Sequence, residues 1–357
     1  MENAGYDFHF RDKITVAILG ATGSVGQRFI ELLSNHPWFE IVSVAASERS
    51  FGKRYGDAVN WLLPTPLPDN IASMTLSECK PPITANLILS ALDSSVATVI
   101  EGAFANAGYM VISNAKNYRM QSDVPLLIPE VNSDHLALLE HQKFSGGKIV
   151  TNPNCSAVGL ALALKPIYDR FGIEAVNVVT MQAISGAGYP GVASMDILGN
   201  IIPYIAEEED KLESEPLKIL GRLDKDHIIE SKMKISAQCN RVPVSDGHTE
   251  CVSIKLKTKP SKDELIETWR TFSGEAQRLA LPSAPEHPVH YFDSEYLPQP
   301  KLQRNLDKGM AVSIGRLRDC PLLDYKFTLV SHNTIRGGAG GAILCAELLV
   351  RKGYIFW

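Results

Sequence analysis

Apolar residues come first in unbroken runs along this chain and later in alternation with polar ones, and the two textures predict two kinds of sheet. ITVAIL at 14–19 is a continuous, β-branched run; a glycine-bearing turn and the amphipathic stretch QRFIELLSNHP follow it, which reads as strand, turn and helix. Similar runs lie at 41–46 (IVSVAA), 86–92 (NLILSAL) and 109–114 (YMVISN). Strands apolar on both faces must be covered on both, so these four predict a parallel, doubly wound sheet of the Rossmann type, in an α/β chain. From about residue 150 more polar positions interleave, at 176–184 (VNVVTMQAI), 248–257 (HTECVSIKLK), 310–318 (MAVSIGRLR) and 325–332 (YKFTLVSH). That pattern predicts a mixed or antiparallel sheet in a second, α+β domain. The acidic segment EEEDKLESEPLKIL, the proline-rich stretch 282–300 and the cluster RGGAGG punctuate it, and GAILCAELLVRKGY is a helical pattern expected to return to the first domain.

The first turn reads Gly20-Ala-Thr22-Gly23-Ser24-Val25-Gly26, between a predicted strand and a predicted helix. There a pyrophosphate can approach backbone N–H groups at a helix N-terminus, and only glycine leaves the space. The spacing is GxxGxxG rather than GxGxxG, and its context supports dinucleotide binding over a plain tight turn. An NAD site usually ends its second strand with an acid for the ribose 2′-OH; this chain instead has Ser47, Glu48, Arg49 and Ser50. Two hydroxyls and a guanidinium suit a 2′-phosphate, so NADP is the expected cofactor, with Glu48 the discordant residue.

A chain of 357 residues, 45% apolar and 21% charged, has the composition of an ordinary two-domain globular protein. Its net charge of -5 gives no field that would recruit nucleic acid or an anionic membrane. No apolar run approaches the roughly 18–20 residues that span a bilayer, and the polar start MENAGYDFHFRDK does not suggest export, so a cytoplasmic location is expected. The six cysteines form no CxxC pair and no Cys/His cluster at zinc spacing, which predicts no metal site and leaves reduced thiols available for chemistry.

Cys155, in Thr-Asn152-Pro-Asn154-Cys155-Ser, stands in the first turn of a helical pattern at about 156–168, with Asn154 or Asn152 as cap. The positive end of a helix dipole favours a thiolate there, poised to attack a carbonyl. Position alone serves equally well a small buried hydrophobe, which is how the other five cysteines read; a dinucleotide fold favours the nucleophile. His248 follows a glycine at the start of a strand and is the best candidate for its acid/base partner, while the other eight histidines read as surface or structural.

The motifs GATGSVG, SNAKNYRM, PNCSA, MQAISGAGYPG, EEEDK, NRVPVSDGH and HNTIRGGAGG, in this order over nearly the whole chain, resemble aspartate-semialdehyde dehydrogenase of the branch found in archaea and fungi. The resemblance implies reversible, NADP-dependent conversion of L-aspartate 4-semialdehyde and inorganic phosphate to L-4-aspartyl phosphate, on the path to lysine, threonine, methionine and isoleucine. It implies a nucleotide domain at 1–152, completed by the C-terminal helix in 334–357. A catalytic and dimerisation domain at 153–333, like the C-terminal domain of glyceraldehyde-3-phosphate dehydrogenase, would form a homodimer or homotetramer. By residue, it implies Cys155 as nucleophile, His248 as acid/base and Gln182 orienting the acyl intermediate. Arg241 would receive the substrate carboxylate and Glu209 its ammonium, with the register among Glu207, Glu208 and Glu209 open. Lys211 and Arg119 would bind phosphate, beside Asn114 and Asn154. Cofactor contacts are expected to extend to Ser90, Ser185, Gly186 and Asn333, the last of which an N-cap role would explain almost as well.

Three rivals share parts of this reading. Archaeal malonyl-CoA reductase has the same fold, cysteine and histidine but no substrate ammonium to bind. N-acetyl-glutamyl-phosphate reductase would leave the acidic residue without a cation, and a non-catalytic NADP-binding regulator would have no use for Cys155 and His248.

Overall fold

The computed structural model describes residues 13–355; the polar start of the chain, with His9, and the last two residues lie outside the described residues. The first sheet contains β1 (Ile14–Leu19), β2 (Phe39–Ala46), β3 (Ser77–Glu78), β4 (Leu87–Ser90), β5 (Met110–Ser113) and β6 (Lys148–Thr151). All six run parallel in the order β3-β2-β1-β4-β5-β6. The order reverses between β1 and β4, and α1 (Ser24–Leu33) and α2 (Ser94–Asn106) begin at the carboxyl ends of those two strands. Their N-termini therefore face one crevice, the place where open α/β sheets bind ligands.

After β6 the chain enters α3 (Cys155–Phe171), whose residues from Ser156 to Leu164 are all buried. A helix apolar all round needs cover on every side. The second sheet supplies much of it: β7 (Ile173–Gln182), β10 (Lys234–Arg241), β11 (His248–Leu256), β12 (Val289–Phe292), β13 (Val312–Asp319) and β14 (Tyr325–Ser331), in the order β10-β7-β11-β14-β13-β12. Its centre, from β7 through β11 and β14 to β13, is antiparallel, and each edge strand pairs in parallel. Ala161 and Leu164 of α3 share a core with Val178, Val252 and Phe327. A small hairpin, β8 (Arg222–Asp224) and β9 (His227–Ile229), stands apart, while α5 (Lys262–Arg270) adds Leu265 and Trp269 to the core that α3 enters.

The mixed sheet matches expectation in its central strands and departs from it in two others. β10 reads KISAQCNR, and its inward residues Ala237 and Cys239 are too small to stand out as an apolar stripe. β12 is four residues inside the proline-rich stretch, where punctuation hides a strand. The acidic segment is α4 (Glu208–Ile219), and it is not a solvated face: Glu208, Glu215 and Lys218 are buried.

The last helix, α6 (Gly340–Arg351), lies in the core of the first domain with Val16, Phe29 and Ile112. Just before it, Arg336 forks onto Glu130 at 2.8 and 2.7 Å, with both side chains almost wholly enclosed. Removing one partner of such a pair strands the other charge in the interior. Arg336→Ala should therefore lower the unfolding free energy by about 3–5 kcal/mol in denaturant titrations; a change near zero would show that the fork contributes no anchoring.

Candidate active site

The cavity that unites the two domains is built around the start of α3. Asn154 is its N-cap, resolving the choice between two asparagines: Oδ1 accepts from the N–H groups of Ser156 at 2.9 Å and Ala157 at 3.2 Å. Asn152 instead donates to Asn114 Oδ1 at 3.0 Å and to Gly338 O at 3.3 Å, tying the linker to the loop before α6. That loop presses on the nucleophile, since a Cβ on Gly337 would stand 2.7 Å from Cys155 Cα.

Cys155 Sγ lies 3.2 Å from His248 Nε2, and His248 Nδ1 accepts the Ala183 N–H at 3.1 Å. The imidazole is fully enclosed, and Gly247 before it donates its N–H to Asn333 Oδ1 at 2.9 Å. Burial, then the Glu208 carboxylate, push the Cys155 thiol up to about 12 against the opposing pull of Arg119, Arg241 and the Ser156 N–H. Burial, then Arg241 and His332, hold His248 down at about 3. The helix start favours the expected thiolate, while desolvation opposes it and holds the thiol up.

Around the sulfur lies a cavity of about 490 Å³ whose walls include Asn154, Gln182, Arg241, Arg119 and Lys211 from the expected substrate set. Ser24, Val25, Ser185, Gly186 and Asn333 line it from the expected cofactor set. Arg241 is held by Ala183 O at 2.7 Å, and Arg119 by Glu215 at 2.9 Å and Asn114 O at 2.7 Å. Of the three candidate glutamates the one in this cavity is Glu208, which accepts from Asn154 Nδ2 at 2.8 Å and Gln182 Nε2 at 3.2 Å, with Lys211 Nζ at 3.5 Å. Glu209 is a correction, because one step along a helix turns the side chain by roughly 100°. Its carboxylate accepts instead from Cys239 N at 3.0 Å.

Three further expectations are corrected. Ser90 is fully buried and donates to Glu101 at 2.6 Å, so its hydroxyl faces the core rather than a cofactor. Asn333 caps no helix; α6 begins after Ala339, and Asn333 Nδ2 reaches Ser185 Oγ at 2.9 Å. Of the five other cysteines only Cys239 and Cys345 are buried, while Cys251 points outward from β11. Ser47, Arg49 and Ser50 form a turn after β2, outside the cavity. Sequence reasoning missed Glu215, whose two oxygens hold Arg119 and the Asn154 N–H. The signal was spacing: Glu208, Leu212, Glu215 and Ile219 recur on one helical face, and the two apolar members show that this face is buried.

The glycine turn fits a dinucleotide. No side chain caps α1, so its first backbone N–H groups are uncapped at the cavity wall. Gly20 has φ +72°, and a Cβ on Gly26 would sit 2.3 Å from Gly20 O, so larger residues would fill the cradle. Thr22 is half-buried in this turn, and Gly23 is exposed at the helix cap. Among the described residues there is no cluster of His, Cys, Asp and Glu that could hold a metal, and no helix is long and apolar enough to cross a membrane.

A nucleotide sheet coupled to a mixed sheet, with a helix-start cysteine against a strand-start histidine, defines a class, and two family models agree: the NAD binding domain of semialdehyde dehydrogenase matches residues 15–139, and its dimerisation domain residues 164–336. Aspartate-semialdehyde dehydrogenase of Candida albicans is 48% identical, over 95% of this chain and 98% of that protein. The Methanothermobacter thermautotrophicus enzyme of that name is 49% identical, over 94% and 99%. The Candida albicans structure solved with NADP superposes with a TM-score of 0.89 at 45% identity, covering 96% of this chain and all of that one. The chain belongs to the aspartate-semialdehyde dehydrogenase family.

His248 and His332 are held at about 3 and about 4, below the ordinary 6.5. As pH falls through 6.5 the unfolded chain takes up protons at these sites and the folded chain does not. Their contribution to stability is therefore full above that value and lost toward the folded values. Relative to His248→Gln, the wild-type melting temperature should fall between about pH 7 and about pH 5; a difference that stays constant would contradict the buried neutral imidazole.

Proposed function

We propose that this chain catalyses the reversible, NADP-dependent phosphorylating oxidation of L-aspartate 4-semialdehyde to L-4-aspartyl phosphate, in the cytoplasmic route to lysine, threonine, methionine and isoleucine. The observation that carries the reading is the Sγ to Nε2 contact of 3.2 Å on a cavity that presents both Arg241 and Glu208. An amino-acid aldehyde has a carboxylate and an ammonium to satisfy; Arg241 suits the first as a planar donor, and Glu208 the second as a buried acceptor. Gln182, bonded to Glu208, orients the acyl group, and the backbone N–H at the helix start is a donor for its oxygen. Arg119 and Lys211 offer two cations for inorganic phosphate.

NADP supplies the hydride acceptor for oxidation and the donor for the reverse reaction. Gly20, Thr22, Gly23, Ser24, Val25 and Gly26 would cradle its pyrophosphate, Ser47, Arg49 and Ser50 would hold its 2′-phosphate, and Asn333, with Ser185 and Gly186, would hold the nicotinamide end. Cys155 attacks the aldehyde carbon, carries the acyl group as a thioester, and releases it to phosphate. The match to a dimerisation domain supports a homodimer or a homotetramer. Malonyl-CoA reductase is disfavoured by Glu208, which would face a substrate without a cation, and a non-catalytic regulator by the intact Cys155–His248 contact.

Purified protein with NADP, phosphate and aspartate semialdehyde should generate NADPH absorbance, which Cys155→Ser should nearly abolish. Glu208→Gln should reduce kcat/KM about 10- to 100-fold through a charge-assisted contact, and Glu209→Gln should have little effect. NADPH oxidation by malonyl-CoA, with no turnover of the semialdehyde, would overturn the substrate assignment.

A further inference from the structure

Four charged residues recur on one face of α4: Glu208, Lys211, Glu215 and Lys218, at i, i+3, i+7 and i+10. The first two line the cavity, and the last two are buried behind it. Lys218 Nζ donates to the carbonyls of Arg119 at 2.7 Å, Gln121 at 2.7 Å and Val124 at 2.8 Å, one bond for each proton that an ammonium carries. Those three carbonyls belong to a stretch between β5 and β6 that is neither helix nor strand. With no ladder of its own, such a stretch takes its shape from the groups that satisfy its polar atoms.

Arg119 is therefore gripped twice by one helix. Lys218 holds its carbonyl, and Glu215, three residues earlier on α4, holds its Nη1 at 2.9 Å. The other end of the guanidinium donates to Asn114 O at 2.7 Å. Glu215 also accepts the Asn154 N–H at 2.6 Å, so the face of α4 that fixes Arg119 also fixes the cap of the nucleophile.

We propose that Lys218 is a positioning residue for phosphate: by clamping the backbone of 119–124 it sets the Arg119 guanidinium where the phosphate that accepts the acyl group is received. The proposal rests on the reading of Arg119 as a phosphate receptor given above. Lys218 is buried and does not line the cavity, so it acts through Arg119. Its effect should fall on one half of the reaction. The semialdehyde reacts with Cys155 before phosphate enters, so kcat/KM for the semialdehyde reports formation of the thioester, and kcat/KM for phosphate reports its release. A misplaced receptor slows the second.

Burial pushes the Lys218 ammonium down to about 8, against the opposing pull of Glu230, Asp123 and Glu215. These acids face it from the segment after β9, from the clamped stretch and from α4 itself. His135, in the turn at 133–141, is the base on the remaining side, and burial holds it below its ordinary value, so it is already neutral where Lys218 titrates. A neutral amine keeps two donors and turns a lone pair toward the third carbonyl. The clamp therefore loosens as pH rises through about 8. Inorganic phosphate is already largely a dianion there, so its own ionisation does not imitate the loss.

The test is steady-state kinetics of the full chain with the semialdehyde and phosphate varied separately. Lys218→Met keeps the length of the stem and removes the donors. In a folded Lys218→Met protein, judged by circular dichroism and its melting transition, kcat/KM for phosphate should fall about 10- to 100-fold, while that for the semialdehyde stays within about threefold. Equal losses in both would mark Lys218 as general support of the fold and overturn the proposal. The wild-type protein supplies a second measurement that needs no variant. Its kcat/KM for phosphate should fall with rising pH at the same midpoint as the lysine side-chain nitrogen signal that titrates lowest in labelled protein, about 8; midpoints that differ would overturn the clamp even where Lys218→Met does not fold.

Arg119→Ala separates the two layers of the argument. If it lowers kcat/KM for phosphate and Lys218→Met does not, the phosphate receptor stands and the clamp is wrong. If Arg119→Ala leaves that quantity unchanged, the receptor reading fails, and the proposal is overturned with it.

Discussion

The side chain of Asn154 is the constraint on which the site depends. Its oxygen accepts from two N–H groups at the head of α3, and its nitrogen donates to Glu208 on α4. Its main-chain N–H goes to Glu215, seven residues further along that helix, which also holds Arg119. One residue thus fixes where the nucleophile starts, where Glu208 points, and through Glu215 where the Arg119 guanidinium stands. A cap of this kind is worth about 1 kcal/mol to an isolated helix, but here its loss would also leave a buried carboxylate short of a donor.

The same enclosure gives the site its electrostatic character. Glu250, two residues past His248 on β11, has both carboxyl oxygens buried without a hydrogen-bond partner, and burial followed by Glu208 raises its pKa well above the usual carboxylate range. The sulfur, the imidazole and this carboxyl are all driven toward their neutral forms. Arg241, Arg119 and Glu208 line the same cavity, each fixed by backbone or side-chain partners. Polar groups fixed against protein walls act more strongly than they would in bulk water, and they need no rearrangement when an anion forms.

The parallel sheet was legible because a strand covered on both faces has to be largely apolar, and ITVAIL is a short run rich in β-branched residues that ends at a glycine turn. Cys155 and His248 were legible because a helix start and a strand start expose their side chains to a crevice wherever the rest of the chain goes. What escaped were facts set by packing. β3, two residues long, has no pattern to read, and α4 hides charged groups on its inner face, where polarity suggests solvent. The choice between Glu208 and Glu209 depends on one step of helical rotation that only the docked helix fixes. Whether the thiol is ionised depends on how much water reaches it, which local sequence does not encode.

The fork between Arg336 and Glu130, with α6 seated in the first domain, means that the nucleotide-binding unit is discontinuous in the chain. A gene fragment cut at the apparent boundary near residue 152 would encode strands whose hydrophobic underside has lost its cover. During synthesis that unit must wait for Gly340–Arg351 to leave the ribosome before its core can close. Any chimera that exchanges cofactor preference has to graft two separate stretches, one from each terminus, to carry a complete module.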